Sequence, residues 1–427
     1  MNDHDQRLSA ASSDLLASLL HSHPTSIEIL PGDASLWAHQ PSPADAIDAG
    51  SSTYPFLFIE NNLGIPQKVL YSTYILAVQR FTQCKKRDLA VASRSAILEL
   101  KSTSAIIILA NPAHHTALNA RRRLVLCAYS YPADTHDPSE DAGCLRAEDE
   151  LAFTAALLSS RHCAKEAGLW SYRRWLMQRI YPSESDACAA CSISCDRFLA
   201  LRIPPDVLRT ELRIVTRACE LYPRNYFAWM HRSICMQGVL HHIAALHRPH
   251  SPNPDDKEAH VHDEYLDIIT AEISTTKRWI EQHVADASAV HYLVTLVHSV
   301  QSHSSYVSNQ ELPSGNLSLA SHAMSLLRAF PVHEALWAYI RGAVVVERSG
   351  TAFVELSSAF SGSSTVFAEA RAPGEDKDKY ALLDSVRAFA FEKVLTPIGD
   401  ANDSEYQVVA VHAARFIEWL RRTGTNG

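Results

Sequence analysis

Apolar residues recur at helical spacing through most of this 427-residue chain. In 148–160, Leu151, Ala155 and Leu158 fall at i, i+4 and i+7, and further on Leu208, Leu212, Val215 and Cys219 fall at i, i+4, i+7 and i+11. Each set lines one face of a helix. Each stretch is followed by a break and then by a second apolar helix, so the pattern predicts helical hairpins. Pro112, Pro223 and Pro331 stand at breaks, where a Pro ends one helix and the next starts just beyond it. The second helix of the clearest units carries a Trp and, three or four residues on, an Arg. These are Trp170 with Arg173 and Arg174, Trp229 with Arg232, and Trp337 with Arg341. Fainter units centre on Leu118 and Val290, so the anchor positions step by 52, 59, 61 and 47 residues.

Such repetition means a stack of similar units, none able to bury its apolar face alone. The steps exceed what two helices need, which places polar insertions near 181–205, 247–263 and 300–316. Residues 56–348 hold the repeats. Residues 1–55 read as a partly irregular leader, with an apolar stretch from Leu15 to Leu20 and a Ser/Pro/Ala/Asp-rich tract at 41–53. FLFIENNLGIP (56–66) begins as a short extended run, and Pro66 opens a helix. After about 348 the repeat fades, and 386–395 and 406–422 read as helices of a capping segment, 349–427.

A Trp beside a break is a large apolar anchor for stacking one hairpin on the next. An Arg on the same face is costly to desolvate unless a carboxylate or a helix C-terminal carbonyl partners it. The plainest reading of these residues is therefore a stacking lattice. Net charge is −8, from 39 basic and 47 acidic residues, with no basic block beyond KKR at 85–87, which argues against a nucleic-acid partner. No apolar run approaches the ~20 residues of a membrane span. The polar, acidic N-terminus MNDHDQRL is unlike a targeting sequence, and nine scattered Cys read as reduced thiols, so a cytoplasmic location is expected. Two clusters have metal-ligand composition: CAACSISC (188–195) and the tract of His241, His242, His247, His250, His260 and His262. The first lacks an adjacent His and the second reads as surface histidine, so no metal is assigned to this chain.

The hairpin with NYFAWMHR (225–232), the looser KEAGLWSYRRW (165–175), IENNLGIP (59–66) and EISTTKRWIEQHVADASAVHY (272–292) together resemble the repeats of protein prenyltransferase alpha subunits. Within that family they are most similar to the repeat-containing branch, read as the alpha subunit of a third type of geranylgeranyltransferase. The resemblance implies an all-α, right-handed superhelical solenoid of antiparallel helix hairpins, related to tetratricopeptide stacks. It implies a partner beta subunit, of the kind found in the Rab geranylgeranyltransferase, that holds the zinc and the isoprenoid cavity. It also implies geranylgeranyl diphosphate and a protein with a C-terminal cysteine as substrates. In that family a Lys five residues before a repeat Trp faces the diphosphate; Lys165 matches it, and Tyr226 matches a Tyr on the active-site side. Ala167 replaces another family Tyr, Leu118 and Val290 replace Trp, and Leu293 replaces Arg. A non-enzymatic helical scaffold that kept the fold without a beta subunit is the alternative. A stand-alone metal enzyme using the Cys and His insertions is the third reading.

Overall fold

A computed structural model describes residues 3–37, 53–85, 93–130, 145–182, 201–246, 256–302, 319–347, 377–395 and 404–422. Of these, 78% are helical, in 14 helices. The chain divides into two compact units, Met1–Cys191 with Thr210–His231, and Ser192–Arg209 with Arg232–Gly427.

The first unit begins with α1 (Asp3–His21), β1 (Ser26–Leu30) and a single 3-10 turn at Ala34–Trp37. Of the segment read as leader, residues 3–37 and 53–55 are described, and α1 sends Leu16, Ala17 and Leu20 into the core. Strands β2 (Leu57–Ile59) and β3 (Asn62–Pro66) complete a three-stranded sheet in the order β1-β3-β2. β1 runs parallel to the central β3 and β2 runs antiparallel to it. The β2–β3 turn places Glu60 and Asn61 at φ 49 and 63, the left-handed pair that a two-residue hairpin turn demands. The helix α2 (Gln67–Cys84) follows the sheet and buries Leu70, Ala77 and Phe81. Pro66 stands just before α2, at φ −62 and ψ 130.

Helical hairpins follow. In this unit they are α3 (Arg94–Ala110) with α4 (His115–Ser130), α5 (Ala147–Leu158) with α6 (Ala167–Ile180), and most of α7 (Pro205–Leu221) with the start of α8 (Tyr226–Leu246). The second unit holds the rest of α7 and α8. It continues with α9 (Asp256–Gln282) and α10 (Ala287–Ser302), then α11 (Ala320–Ala329) and α12 (Glu334–Glu347), and ends with α13 (Lys377–Leu395) and α14 (Ser404–Arg422). The five hairpins coincide with the five repeats of the sequence, and the fold is an all-α repeat solenoid. The tract at 41–52, the Cys cluster at 188–195 and His247 and His250 lie outside the described residues. The remaining His-tract residues are helical rather than looped: His241 and His242 in α8, His260 and His262 in α9. Among the described residues no helix is long and apolar enough to cross a membrane.

The second helix of each of the first four hairpins starts on a capping residue four positions before the anchor. Asn225 Oδ1 accepts from the amide of Ala228 at 3.3 Å, and Asp286 Oδ1 from those of Ser288 and Ala289 at 3.1 and 3.2 Å. His114 Nδ1 accepts from Ala117 at 3.1 Å and Glu166 from Gly168 at 3.4 Å. Each cap satisfies one or two of the amides that a helix start leaves orphaned.

Candidate functional site

The anchor tryptophans are interior. Trp170 and Trp337 are sealed from solvent and Trp229 nearly so. The indole of Trp170 donates to the carbonyl of Ala164 at 2.8 Å, and that of Trp337 to Pro331 at 2.7 Å. This bond explains the six-residue spacing from break to Trp: the ring reaches back one turn beyond the helix start to a carbonyl. Pro serves there because only its oxygen is used, and Ala serves equally in the second repeat. The Ala164 carbonyl also accepts from Asn225 Nδ2 at 2.7 Å, which ties the α5–α6 turn to the next hairpin.

Three repeat arginines, Arg121, Arg173 and Arg232, each bind a glutamate from the first helix of the following hairpin. Arg121 forks onto Glu150, with Nε to Oε2 at 2.8 Å and Nη2 to Oε1. Arg173 forks onto Glu211 at 2.7 and 2.5 Å. Arg232 forks onto Glu272, with Nη2 to Oε2 at 2.7 Å and Nε to Oε1. The residue before the arginine register in the next repeat donates to the same carboxylate: Tyr172 to Glu150 at 2.8 Å, His231 to Glu211 at 3.0 Å, Tyr292 to Glu272 at 2.6 Å. All three pairs are buried. The remaining Arg173 nitrogen donates to the Leu151 carbonyl at 2.6 Å and Thr154 at 2.8 Å, and the Arg121 equivalent to Lys101 and Ser104 at 3.0 and 3.2 Å. Such saturation is what a buried guanidinium needs. Burial alone would raise the Glu211 carboxyl; the Arg173 charge and the His231 hydrogen bond outweigh it and hold the pKa down to about 2. Burial lowers the pKa of His231, whose ring lies 5.1 Å from that of Trp170 at a tilt of 42°.

The ladder stops where its sequence changes. Leu293 occupies the fourth arginine position, and Leu319 stands ten residues before the end of α11, the offset that Glu211 and Glu272 hold in α7 and α9. Both leucines are fully buried. Tyr339, in the tyrosine register, bonds His322 at 2.9 Å instead. Of the residues singled out from sequence, Arg173 makes the fork to Glu211, while its neighbour Arg174 is half-buried. Arg341 is one residue past the register, which Ile340 fills. It is half-buried, burial lowers its pKa, and its Nε finds no hydrogen-bond partner among the described residues. Sequence reasoning missed Glu150, Glu211 and Glu272. Their signal is a glutamate immediately before an apolar residue (Glu150-Leu151, Glu211-Leu212, Glu272-Ile273) within an otherwise apolar stripe.

Lys165 and Tyr226 lie apart from this lattice, on its surface. Lys165 projects from the α5–α6 turn, and its Nζ sits 4.4 Å from the ring centre of Tyr222, a cation–π contact. Among the described residues no carboxylate pairs with it. Tyr222 begins the α7–α8 turn, which continues through exposed Arg224, at φ 57, to Tyr226, 54% exposed. The two sequence-matched residues therefore occupy neighbouring turns, joined by the Lys165–Tyr222 and Asn225–Ala164 contacts. A cation held on an aromatic face and open to solvent can neutralise an anion. It offers no base, nucleophile or metal ligand. Among the described residues no three His, Cys, Asp or Glu side chains gather to hold a metal ion.

Residues 208–238, α7 with the first half of α8, match the family profile of the protein prenyltransferase alpha subunit repeat. The chain is similar to Protein prenyltransferase alpha subunit repeat-containing protein 1 of Danio rerio, 24% identical over 67% of this chain and 63% of that protein. The Homo sapiens protein of the same name is 26% identical over 58% of this chain and 50% of its own length. The Xenopus laevis protein 1-A is 24% identical over 58% and 47%. The chain thus spans about half to under two-thirds of the length of these relatives.

Proposed function

We propose that this chain, a protein built of prenyltransferase alpha-subunit repeats, is the alpha-type subunit of a heterodimeric, cytoplasmic protein geranylgeranyltransferase. A beta subunit, of the type that serves the Rab enzyme, holds the isoprenoid and a zinc ion that lowers the pKa of the substrate thiol. The thiolate sulfur of a C-terminal cysteine attacks C1 of geranylgeranyl diphosphate, forming the thioether as the C1–oxygen bond breaks and diphosphate leaves. This chain holds and orients the partner and substrate, and Lys165 meets the charge that gathers on the leaving diphosphate.

The observation that carries the reading is the placement of Lys165. Lys165 is presented on an exposed turn and braced on Tyr222, and among the described residues no carboxylate pairs with it. Tyr226 projects from the adjoining turn, where its hydroxyl can hydrogen-bond the same anion.

The test is co-expression with a Rab-type geranylgeranyltransferase beta subunit, followed by transfer from labelled geranylgeranyl and farnesyl diphosphates to a Cys-terminated peptide. The heterodimer should co-purify and prefer the longer isoprenoid. Lys165→Ala should lower kcat about tenfold, equivalent to about 1.4 kcal/mol of transition-state stabilisation, with assembly intact. Unchanged turnover removes Lys165 from the reaction. No co-purification together with no transfer sinks the subunit reading and leaves a helical scaffold.

A further inference from the structure

The second helices of the first two hairpins carry a cationic and aromatic cluster built around Tyr172, whose hydroxyl serves the lattice through Glu150. On α4, Asn119 and Arg122 share a face; on α6, Tyr172, Trp175 and Arg179 do. The rings of Tyr172 and Trp175 stack at 5.7 Å and 15°. The Arg122 guanidinium lies across them, 5.5 Å from Tyr172 and 5.9 Å from Trp175, and Arg179 lies 4.9 Å from Trp175.

Arg122 contrasts with its neighbour in sequence. Arg121 is saturated by Glu150 and backbone, but Arg122 donates one hydrogen bond, to the neutral Asn119 Oδ1 at 3.0 Å. Its Nε is buried with no acceptor among the described residues, and no carboxylate pairs with it there. This happens in a chain with 47 acidic residues against 39 basic ones. A half-buried guanidinium held beside aromatic rings is oriented in advance, and its terminal Nη groups can fork onto the two oxygens of a carboxylate. Leu126, one turn along α4 from Arg122, is an exposed apolar residue.

We propose that this α4–α6 surface binds an acidic segment of a partner protein, a carboxylate seated on Arg122 above Trp175 and a neighbouring apolar side chain against Leu126. The planar fork and the adjacent apolar contact suit an extended peptide with alternating carboxylates and aliphatic residues. The net negative chain disfavours a long polyanion at the same place.

Fluorescence anisotropy of the full chain with a labelled Glu-Leu-Glu-Glu-Leu-Glu peptide tests this. Arg122→Ala and Trp175→Ala should each raise Kd at least fivefold, and Arg122→Lys should recover less than half of the loss, since charge alone lacks the fork. Asn119→Asp provides a variant that removes no packing: its carboxylate should neutralise Arg122 and raise Kd comparably. The proposal is overturned if the Gln-for-Glu peptide binds equally well. It is also overturned if Asn119→Asp and Arg122→Lys both leave Kd unchanged, or if inorganic tripolyphosphate displaces the peptide at concentrations below the peptide's own Kd.

Discussion

Glu211 accepts from Arg173 twice and from His231 once, in a setting that excludes water. Removing one member of such a group strands the other charge, which costs about 3–5 kcal/mol, whereas replacing both by apolar residues is often neutral. The Leu293 and Leu319 positions show that replacement within the same protein. Arg232→Leu alone should therefore lower stability by about 3–5 kcal/mol, while Arg232→Leu with Glu272→Leu and Tyr292→Phe should recover more than half of it. Urea unfolding of the set decides this; a triple variant as unstable as the single would show that the leucine junction relies on something other than its apolar pair. His231 adds a pH dependence. Burial lowers its pKa below the ordinary 6.5, so below that value the unfolded chain takes up a proton that the folded one refuses. Glu211, held at about 2 against 4.5 unfolded, acts in the same direction at lower pH. His21, which burial and the Arg121 charge lower to about 3, does so as well. Stability should thus fall as pH drops below about 6.5, by up to ~1.4 kcal/mol per unit for each histidine. His231→Tyr, the residue that Tyr172 and Tyr292 place in this register, should reduce that slope while keeping a donor to Glu211. An unchanged slope between pH 6.5 and 5 would remove His231 as a contributor.

At the level of helices, what was legible in the sequence was whatever repeats at a fixed offset. The hairpins, their breaks and the buried Trp all follow from apolar periodicity and from Pro at the turn. The need for a carboxylate near each Arg was also readable from desolvation cost. Which carboxylate was not, because Glu150, Glu211 and Glu272 lie 29 to 40 residues beyond the arginines they serve, across insertions of unequal length. The β1–β3 pairing escaped for the same reason, as a parallel partner 36 residues away leaves no local signature. Close approach between helices left a mark only as a glycine. In α12, a Cβ on Gly342 would lie 2.8 and 2.9 Å from the two methyls of Val294 on α10, closer than a β-branched side chain can yield. Alanine gains about 1 kcal/mol of helix propensity over glycine, but overpacking of this kind costs about 1–3 kcal/mol. Gly342→Ala should accordingly be destabilising on thermal unfolding, and Val294→Ala in the same chain should turn it favourable relative to Val294→Ala alone. If Gly342→Ala raises Tm by itself, α10 and α12 have room to separate.

For the molecule as a whole, a stack of hairpins must end its apolar seam at both extremes, since each unit covers only its neighbours. The glutamate ladder stops at Leu293, so the last repeat is held by apolar contact, and Trp337 is its centre. Phe389 of α13 and Phe416 of α14 lie 6.1 and 5.8 Å from the Trp337 ring, with Val386, Ala413 and Leu420 buried around them. The C-terminal helices thus cover the apolar surface around Trp337. Phe416→Ala should cost about 3–5 kcal/mol through the cavity it leaves. A chain ending at residue 376 should go further, uncovering Trp337 and the α12 surface beside it. It should bind an apolar dye such as ANS and elute as oligomers in size-exclusion chromatography, where the full chain does not. If the truncated chain stays monomeric, binds no dye and melts at the full chain's temperature, α13 and α14 are appended to a seam already closed by α12 itself, and Phe416→Ala should then be nearly silent.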